Sequence, residues 1–442
     1  MCIRDRSVGA STVLQPLGGK KQNTPAQVMA ALIPTDDGES RTASVMSYGF
    51  NPKLSEESQF LGGYYAVVES IAKLVAAGAP LEGIRLSFQE FYEKMDNKKA
   101  WSKPLKSLLG ALKASRFFDA PPIGGKDSMS GSFEDINVPP TLISFAVNTV
   151  DAKNIISPEF KGKGKLGLIR TKRDDIGALD LDMAKENFLS LQKEIEAGNI
   201  ISAAAITHKG SLPQIFEMAI DNVGFDIKLD DLYSPLYGSF IVEYLEDRDF
   251  IEKLGDFTED EMIVNGEKLD IEKLSKAYLT TMDKIFKPLD SHKLEKIDQA
   301  KAQKRRMKSK KPVDEVKVVI PAFPGTNSEY DTARAFERAG AKAEVVIFRN
   351  KDDKALQESI EELAEKISKA QILAIPGGFS LGDEPGGSGK FIANVIRSEK
   401  VKKAIETLLD DNDGLILGIC NGFQALVKTC LLYTSPSPRD CS

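Results

Sequence analysis

The residues after Pro312 alternate between strand-like and helix-like patterns, and this alternation restricts the fold more than any other feature of the sequence. Apolar strand patterns and intervening helix patterns follow one another at 316–320, 328–339, 343–348, 352–370, 372–375, 390–409 and 415–419. Such alternation is typical of a parallel sheet covered on both faces by helices. The sequence therefore predicts an α/β domain over 314–429, with any ligand at the carboxyl ends of its strands.

Cys420 lies where the last of these strands gives way to a helix. Gly418 and Gly422 flank it, and small residues at this spacing suit a strained strand-to-helix elbow. The helix N-terminus would present free N–H groups and positive dipole to the sulfur, which favours a thiolate and stabilises an oxyanion. A cysteine can also be a small buried apolar residue, so this spacing alone leaves both interpretations open.

A second glycine-containing loop favours the reactive cysteine. Residues 376–383 read Pro-Gly-Gly-Phe-Ser-Leu-Gly-Asp and follow the preceding strand, so they reach the same edge of the sheet. There Gly378 can direct its backbone N–H toward a carbonyl under attack by Cys420.

The chain before this domain is α+β in pattern. A buried helix is predicted over 62–78 and a central strand over 142–150, within a first domain at 1–154. A second domain, 155–290, combines strands and helices whose predicted positions are 166–169, 183–197, 212–222 and 239–244. Residues 291–313 are predicted to be a linker. They hold a basic run that could also contact RNA, but the run has no aromatic residues for stacking on bases.

Composition narrows the classes of partner. The 442 residues carry 59 Lys and Arg against 65 Asp and Glu, a net charge of −6, which disfavours binding to nucleic acid or anionic membranes. No apolar run reaches the length of a membrane helix, and the N-terminus has no secretory signal. We therefore expect a cytoplasmic protein without a nucleic-acid or membrane partner.

In combination, three motifs resemble phosphoribosylformylglycinamidine synthase of the large, single-chain type. They are Gly-Ile-Cys-Asn-Gly-Phe-Gln at 418–424, the 376–383 loop, and Phe-Pro-Gly-Thr-Asn-Ser-Glu at 323–329. The resemblance implies a truncated, flavodoxin-like class I glutamine amidotransferase domain. In it Cys420 attacks glutamine, while Gly378 and Asn421 occupy the oxyanion-hole positions.

The upstream region resembles the second synthase half of the same family, an α+β fold like that of aminoimidazole ribonucleotide synthase. Its strongest motif is Pro-Ile-Gly-Gly-Lys-Asp-Ser-Met-Ser-Gly at 122–131. By pattern alone this could hold phosphate or a Mg²⁺-bound nucleotide, but an ordinary charged turn is favoured. The resemblance implies instead that ATP or ADP is bound by Gly124, Gly125, Lys126, Asp127 and Ser128.

The resemblance also implies an auxiliary site for Mg²⁺ with nucleotide. Its ligand positions fall on Asp37, Glu69, Lys73 and His208, of which Asp37 and Glu69 are the expected carboxylates. Lys73 and His208 depart from the family pattern, and an ammonium group is a poor Mg²⁺ ligand. We therefore expect a weakened or empty metal site.

Two further departures concern the general base and the ends of the chain. Enzymes of this class use a His oriented by a Glu, yet both histidines, His208 and His292, precede the amidotransferase region. Residues 1–7 and 430–442 do not follow the family pattern and resemble spurious translated ends. We expect a fragment that lacks the first synthase half and is inactive alone.

The complete enzyme implied by the resemblance uses ATP and glutamine to convert formylglycinamide ribonucleotide into formylglycinamidine ribonucleotide in purine biosynthesis. Two alternatives remain at this stage. The chain could be a non-catalytic nucleotide-binding scaffold, or a different cysteine hydrolase built on the same elbow fold.

Overall fold

The computed structural model describes residues 11–35, 40–174, 177–286, 311–380 and 389–429. The chain divides into two compact units, Met1–Leu289 and Asp290–Ser442. The predicted spurious ends, most of the predicted linker, and Asp37 lie outside the described residues.

The first part of unit one is built around a mixed sheet. Its elements are β1 Leu17–Gly18, β2 Thr24–Pro25, β3 Met29–Leu32, β4 Thr42–Gly49, α1 Pro52–Glu57, α2 Gln59–Ala76, β5 Arg85–Phe91, α3 Lys98–Phe117, β6 Pro122–Ser128, β7 Ser132–Phe133, β8 Ile136–Asn137 and β9 Thr141–Asp151. Five of these strands form a sheet in the order β3-β4-β9-β5-β6. Only the β5–β6 pair is parallel, and β6 is an edge strand.

Helix α2 packs against one face of this sheet, and the other face is exposed to solvent. Along β4, Ala43, Val45 and Ser47 are buried, whereas Met46 and Tyr48 between them are exposed, as the two-residue period of a strand requires. Helix α2 is buried along its length from Gly62 because it packs against α3 on one side and the sheet on the other. The predicted buried helix is thus present.

The second part of unit one forms a mainly antiparallel sheet. Its elements are β10 Lys165–Ile169, α4 Leu181–Glu196, β11 Ile200–Ala205, α5 Ser211–Ala219, β12 Gly224–Ile227, β13 Phe240–Tyr244, β14 Glu252–Thr258, β15 Met262–Val264, β16 Glu267–Lys268 and α6 Ile271–Leu279. The strand order is β11-β13-β10-β14-β12-β15-β16. A single hydrophobic core includes residues of both sheets, for example Val45 of β4 and Phe240 of β13.

A fully buried carboxylate fixes the loop before β10. Glu243 in β13 is 0% exposed, and its two oxygens accept backbone N–H bonds from Lys161, Lys163 and Gly164 over 2.6–3.1 Å. Such donors replace the water that the carboxylate loses on burial. Glu243 therefore has a structural reason to interrupt an otherwise apolar strand.

The C-terminal unit has the predicted alternation of strands and helices. Its elements are β17 Lys317–Ala322, α7 Glu329–Arg338, β18 Lys342–Ile347, α8 Asp353–Ser368, β19 Ile372–Ile375, α9 Lys390–Arg397, α10 Glu399–Glu406, β20 Leu415–Gly418 and α11 Asn421–Thr429. The four strands are parallel in the order β18-β17-β19-β20. This confirms the α/β prediction, and the order reverses between β17 and β19, where such sheets bind ligands. The predicted α+β character of unit one is also confirmed.

Candidate active site

Cys420 occupies a strained elbow between β20 and α11. Its φ is +51°, in the left-handed region that residues other than glycine seldom adopt. Hydrogen bonds hold both sides of the turn: Ile419 N–H donates to Ile375 O over 3.0 Å, and Gln424 N–H donates to Cys420 O over 3.0 Å. The cysteine is exposed and free. The interpretation of Cys420 as a buried apolar residue is therefore wrong, and its strain is typical of functional positions.

The glycines beside Cys420 are required by close backbone packing. A Cβ on Gly422 would lie 2.3 Å from the carbonyl oxygen of Ile375, and one on Gly418 would lie 2.9 Å from the Gly422 carbonyl carbon. Both distances are shorter than real Cβ contacts allow. The spacing that indicated an elbow in the sequence thus has a steric cause.

The loop after β19 lies against the cysteine. A Cβ on Gly377 would stand 3.3 Å from the Cβ of Cys420, so the two loops are in contact. The next residue, Gly378, has a φ of +122° and forms an isolated antiparallel bridge with Thr326. The bonds of this bridge run from Asn327 N–H to Gly377 O over 3.0 Å and from Phe379 N–H to Gly325 O over 2.8 Å. In this bonding pattern the N–H of Gly378 points away from Thr326.

A buried hydrogen bond connects the two loops. Ser380 donates from Oγ to the Oδ1 of Asn421 over 2.7 Å, and Asn421 Nδ2 donates to Gln424 Oε1 over 3.2 Å. Ser380 and Asn421 are 1% and 4% exposed. The side chain of Asn421 is therefore engaged within the protein, which leaves its backbone N–H as the group able to serve a substrate. Asp383 of the same motif lies outside the described residues.

Residues 315–439 match the family model of the CobB/CobQ-like glutamine amidotransferase domain. This stretch, here called the amidotransferase region, is also similar to curated proteins. The PurQ subunit of phosphoribosylformylglycinamidine synthase from Dehalococcoides mccartyi is 41% identical over 126 residues, which are 27% of this chain and 42% of that subunit. PurQ from Campylobacter jejuni is 35% identical over 119 residues, 26% of this chain and 43% of that subunit.

These matches confirm the resemblance predicted from the motifs of the amidotransferase region. The chain spans less than half the length of these two relatives. Among solved structures, PurLQS from Thermotoga maritima aligns with 57% of this chain and 39% of its own at 20% identity, with a TM-score of 0.43.

A cleft of about 340 Å³ opens at the carboxyl ends of β17 and β18 in the amidotransferase region. Its walls include Phe323, Glu329, Tyr330 and Phe348. Cys420 is not among the residues that line this cleft, although Phe323 and Thr326 belong to the loop that bridges to Gly378. Within the part of the chain that the structure describes, Cys420 is exposed to solvent.

The predicted nucleotide motif forms a strand where its pattern suggested a turn. Gly124, Gly125, Lys126, Asp127 and Ser128 all belong to β6, and the first four are exposed along the edge of the sheet. Only Gly125 is packed closely against the neighbouring strand: a Cβ on Gly125 would lie 2.5 Å from Phe88 O, while one on Gly124 would meet nothing within 4 Å. The motif therefore presents an extended polar edge.

Behind that edge lies a buried carboxyl group. Glu90 of β5 is 8% exposed and is paired in register with Asp127 of β6. Burial, and to a smaller extent the Asp127 carboxylate, raises the pKa of Glu90 to about 7. This group thus titrates near neutral pH, beside the residues predicted to bind nucleotide.

The described residues of the predicted metal site do not fit Mg²⁺. The Oε1 of Glu69 lies 2.6 Å from the ammonium of Lys73, which is a cation and not an oxygen ligand. His208 is exposed, and no group of three His, Cys, Asp or Glu suited to a metal ion occurs among the residues that the structure describes. The role of Asp37 stays a prediction.

Sequence reasoning missed Ser380, which connects the two loops at Cys420, and Glu243, which fixes the loop before β10. Ser380 lies inside the quoted loop motif, but nothing in a sequence indicates that its hydroxyl reaches Asn421, 41 positions away. Glu243 had a visible signal, because it is a charged residue within the apolar run Phe240–Tyr244.

Proposed function

We propose that this chain is part of an ATP- and glutamine-dependent ligase, phosphoribosylformylglycinamidine synthase, which converts formylglycinamide ribonucleotide into formylglycinamidine ribonucleotide in purine biosynthesis. The observation that carries the proposal is the strained, exposed Cys420 in the amidotransferase region. A nucleophile held at such an elbow suits attack on an amide carbonyl.

In the glutaminase step, Cys420 Sγ forms a bond to the side-chain carbonyl carbon of glutamine. The carbonyl π electrons move to oxygen, and the backbone N–H groups of Gly378 and Asn421 are the proposed donors to this oxyanion. Collapse of the intermediate breaks the C–N bond, and the nitrogen leaves as ammonia after it gains a proton. Water then attacks the thioester, which releases glutamate and restores the thiol.

The proton transfers in this step need a general base. Both histidines of the sequence, His208 and His292, precede residue 315, where the amidotransferase region begins. We therefore propose that this chain forms the thioester bond to Cys420 but does not sustain glutamine turnover by itself.

In the synthase step, ATP would phosphorylate the amide oxygen of formylglycinamide ribonucleotide, and ammonia would displace that phosphate. We propose that β6, from Gly124 to Ser128, binds the nucleotide, since Lys126 supplies a positive charge and Gly125 and Ser128 supply backbone and hydroxyl groups. Mg²⁺ would enter with the phosphates of ATP, because the Glu69 carboxylate is already neutralised by Lys73. A cytoplasmic location, where ATP and glutamine are available, is part of the proposal.

The proposed polypeptide partner is a first synthase half of the same enzyme. The outward face of the five-stranded sheet exposes Met46, Tyr48 and Phe91, and the edge strand β6 exposes Ile123. Helix α3, which packs against the side of α2 away from the sheet, exposes a separate set of apolar side chains, namely Trp101, Leu105, Leu108, Leu109 and Leu112. Contiguous exposed apolar side chains mark interaction sites. A related α+β half would bring a similar exposed sheet face to cover the outward face of the five-stranded sheet.

Chemical labelling tests the glutaminase assignment. The full chain is treated with an electrophilic glutamine analogue, and the modified residue is identified by mass spectrometry. We expect labelling at Cys420, protection by glutamine, and no labelling in Cys420→Ala. Labelling that glutamine does not slow would favour a cysteine hydrolase with another substrate, and steady release of ammonia would contradict the proposed lack of turnover.

Nucleotide titration separates the ligase proposal from a scaffold without a nucleotide site. We expect ADP with MgCl₂ to bind the full chain, and Lys126→Ala to weaken that binding at least about tenfold, through loss of a charge-assisted contact to phosphate. Lys113→Ala, on α3, is the matched control and should bind as the wild type does. Absence of binding by the wild-type chain would remove the nucleotide site from the proposal.

A further inference from the structure

Lys73 places a positive charge inside the first unit. Its Nζ lies 2.6 Å from Glu69 Oε1 and 2.8 Å from the carbonyl oxygen of Tyr48. The same nitrogen stands 4.6 Å from the centre of the Tyr48 ring. Glu69 and Lys73 are only 4% and 7% exposed. The ammonium is thus surrounded by a carboxylate, a backbone carbonyl and an aromatic face, all of which attract cations.

The backbone brings Glu69, Lys73 and Tyr48 together. Glu69 and Lys73 are four residues apart on α2, so their side chains emerge on the same face of the helix. That face packs against β4, which supplies Tyr48. Because both side chains are buried, either charge alone would be costly, and each needs the other.

We propose that Lys73 is a built-in cation, which occupies the position that Glu69 and the Tyr48 carbonyl would otherwise offer to a divalent metal ion. Two oxygens already converge on this point from the helix and the strand. A six-coordinate Mg²⁺ at about 2.1 Å from each oxygen could not share that space with the ammonium. Lys73 also stands at a position where the family resemblance implies a metal ligand, so the lysine replaces both a ligand and its ion.

This inference reaches beyond the proposed ligase function, because it concerns how the first unit is held together. A unit with its own internal cation needs no divalent metal at Glu69 to keep α2 against β4. The ligase reaction could be right or wrong without changing this expectation.

Metal binding to the full chain tests the inference, with Mn²⁺ as the probe and the free ion measured by electron paramagnetic resonance. Lys73→Asn removes the ammonium and leaves an amide oxygen beside Glu69. We expect Lys73→Asn to bind one more Mn²⁺ ion per chain than the wild type. The added ion should be lost in the double variant Lys73→Asn with Glu69→Gln.

Lys103→Asn is the matched control. Lys103 also forms an ion pair, with Glu93 at 2.7 Å, but the two side chains are 23% and 16% exposed. The partner is thus open to water, and this variant should bind no additional ion. A folded Lys73→Asn chain that gains no site would overturn the proposal.

A melting experiment on unmutated protein covers the case in which Lys73→Asn fails to fold. We expect the thermal midpoint of the wild-type chain to be the same in EDTA and in millimolar MgCl₂. A saturable rise with MgCl₂ that is absent in Glu69→Gln would show that Glu69 holds a metal despite Lys73, and would overturn the proposal.

Discussion

Ser380 donates a hydrogen bond to Asn421 over 2.7 Å, and this bond joins the loop after β19 to the first residue of α11. Both side chains are almost fully buried, at 1% and 4% exposure. Cys420 immediately precedes Asn421, so the bond fixes the elbow relative to the loop that carries Gly378. This bond therefore helps to set the position of the cysteine.

Ser380→Ala should loosen this connection. The substitution leaves the Oδ1 of Asn421 buried without a donor, which should lower the free energy of unfolding by about 1–3 kcal/mol. Labelling of Cys420 by a glutamine analogue should slow at the same time. Urea denaturation and labelling kinetics measure the two effects. Ser368→Ala is the control, because the Ser368 hydroxyl makes an exposed hydrogen bond to Glu365 O at the end of α8, and it should change stability by less than about 0.5 kcal/mol.

The backbone strain at Cys420 predicts an unusual order of stability among its variants. A glycine tolerates the φ of +51° freely, whereas an alanine keeps the strain of about 1–2 kcal/mol. After the extra entropy of glycine in the unfolded chain is subtracted, Cys420→Gly should be more stable than Cys420→Ala by about 0.5–1 kcal/mol. Thermal or chemical denaturation gives the comparison.

Val427 provides the control for that order. It lies within α11 and is half exposed, so Val427→Gly should be less stable than Val427→Ala by about 1 kcal/mol. If the glycine variant were less stable than the alanine variant at both positions, the elbow would not be strained in solution.

Gly378 should tolerate no side chain. A Cβ there would lie 2.3 Å from Gly325 O and 2.7 Å from Asn327 N, both backbone atoms, so the bridge between the two loops must open. We expect Gly378→Ala to cost about 2–4 kcal/mol of stability and to abolish labelling of Cys420. Gly340→Ala measures the cost of a side chain at positive φ alone, since Gly340 has a φ of +88° but open space around it. It should cost about 1 kcal/mol and leave labelling unchanged.

The local pattern of the sequence was sufficient to predict the elements of the amidotransferase region and helix α2. Each of these elements is specified by apolar periodicity within its own residues, and the Cys420 elbow by glycines that must be small. The pattern at 122–131 by itself favours a charged turn, and glycines within a strand usually weaken it. The segment extends as β6 because β5, some 37 positions earlier, supplies a partner in register.

Contacts between distant parts of the chain were not predictable in the same way. The donors to Glu243 lie about 80 positions before it, and Ser380 is 41 positions from Asn421. The Lys73–Glu69 pair was visible as an i, i+4 spacing, yet spacing alone does not show that the pair is buried and bonded to Tyr48. Burial decides whether such charged groups bind a ligand or form an ion pair with each other.

Glu90 should make the first unit less stable as the pH rises. The unfolded chain releases this proton near the ordinary value of 4.5, whereas burial raises the pKa of Glu90 in the folded protein to about 7. Between these values the unfolded state binds fewer protons, so the free energy of unfolding falls with increasing pH and levels off above about 7.

The Glu90→Gln side chain cannot ionise, so the variant's free energy of unfolding should not show this decrease with pH. Relative to the wild type, its free energy of unfolding should rise by about 1–3 kcal/mol between pH 4 and pH 8, as measured by urea denaturation. Asp151→Asn is a control of opposite sign, since the Lys153 N–H bond and then Arg41 lower the pKa of Asp151. That variant should be less stable than the wild type near neutral pH, and the difference should shrink on acidification. A Glu90→Gln difference that stays constant with pH would mean that the pKa of Glu90 is the same in the folded as in the unfolded chain, because water reaches it through the β5–β6 edge.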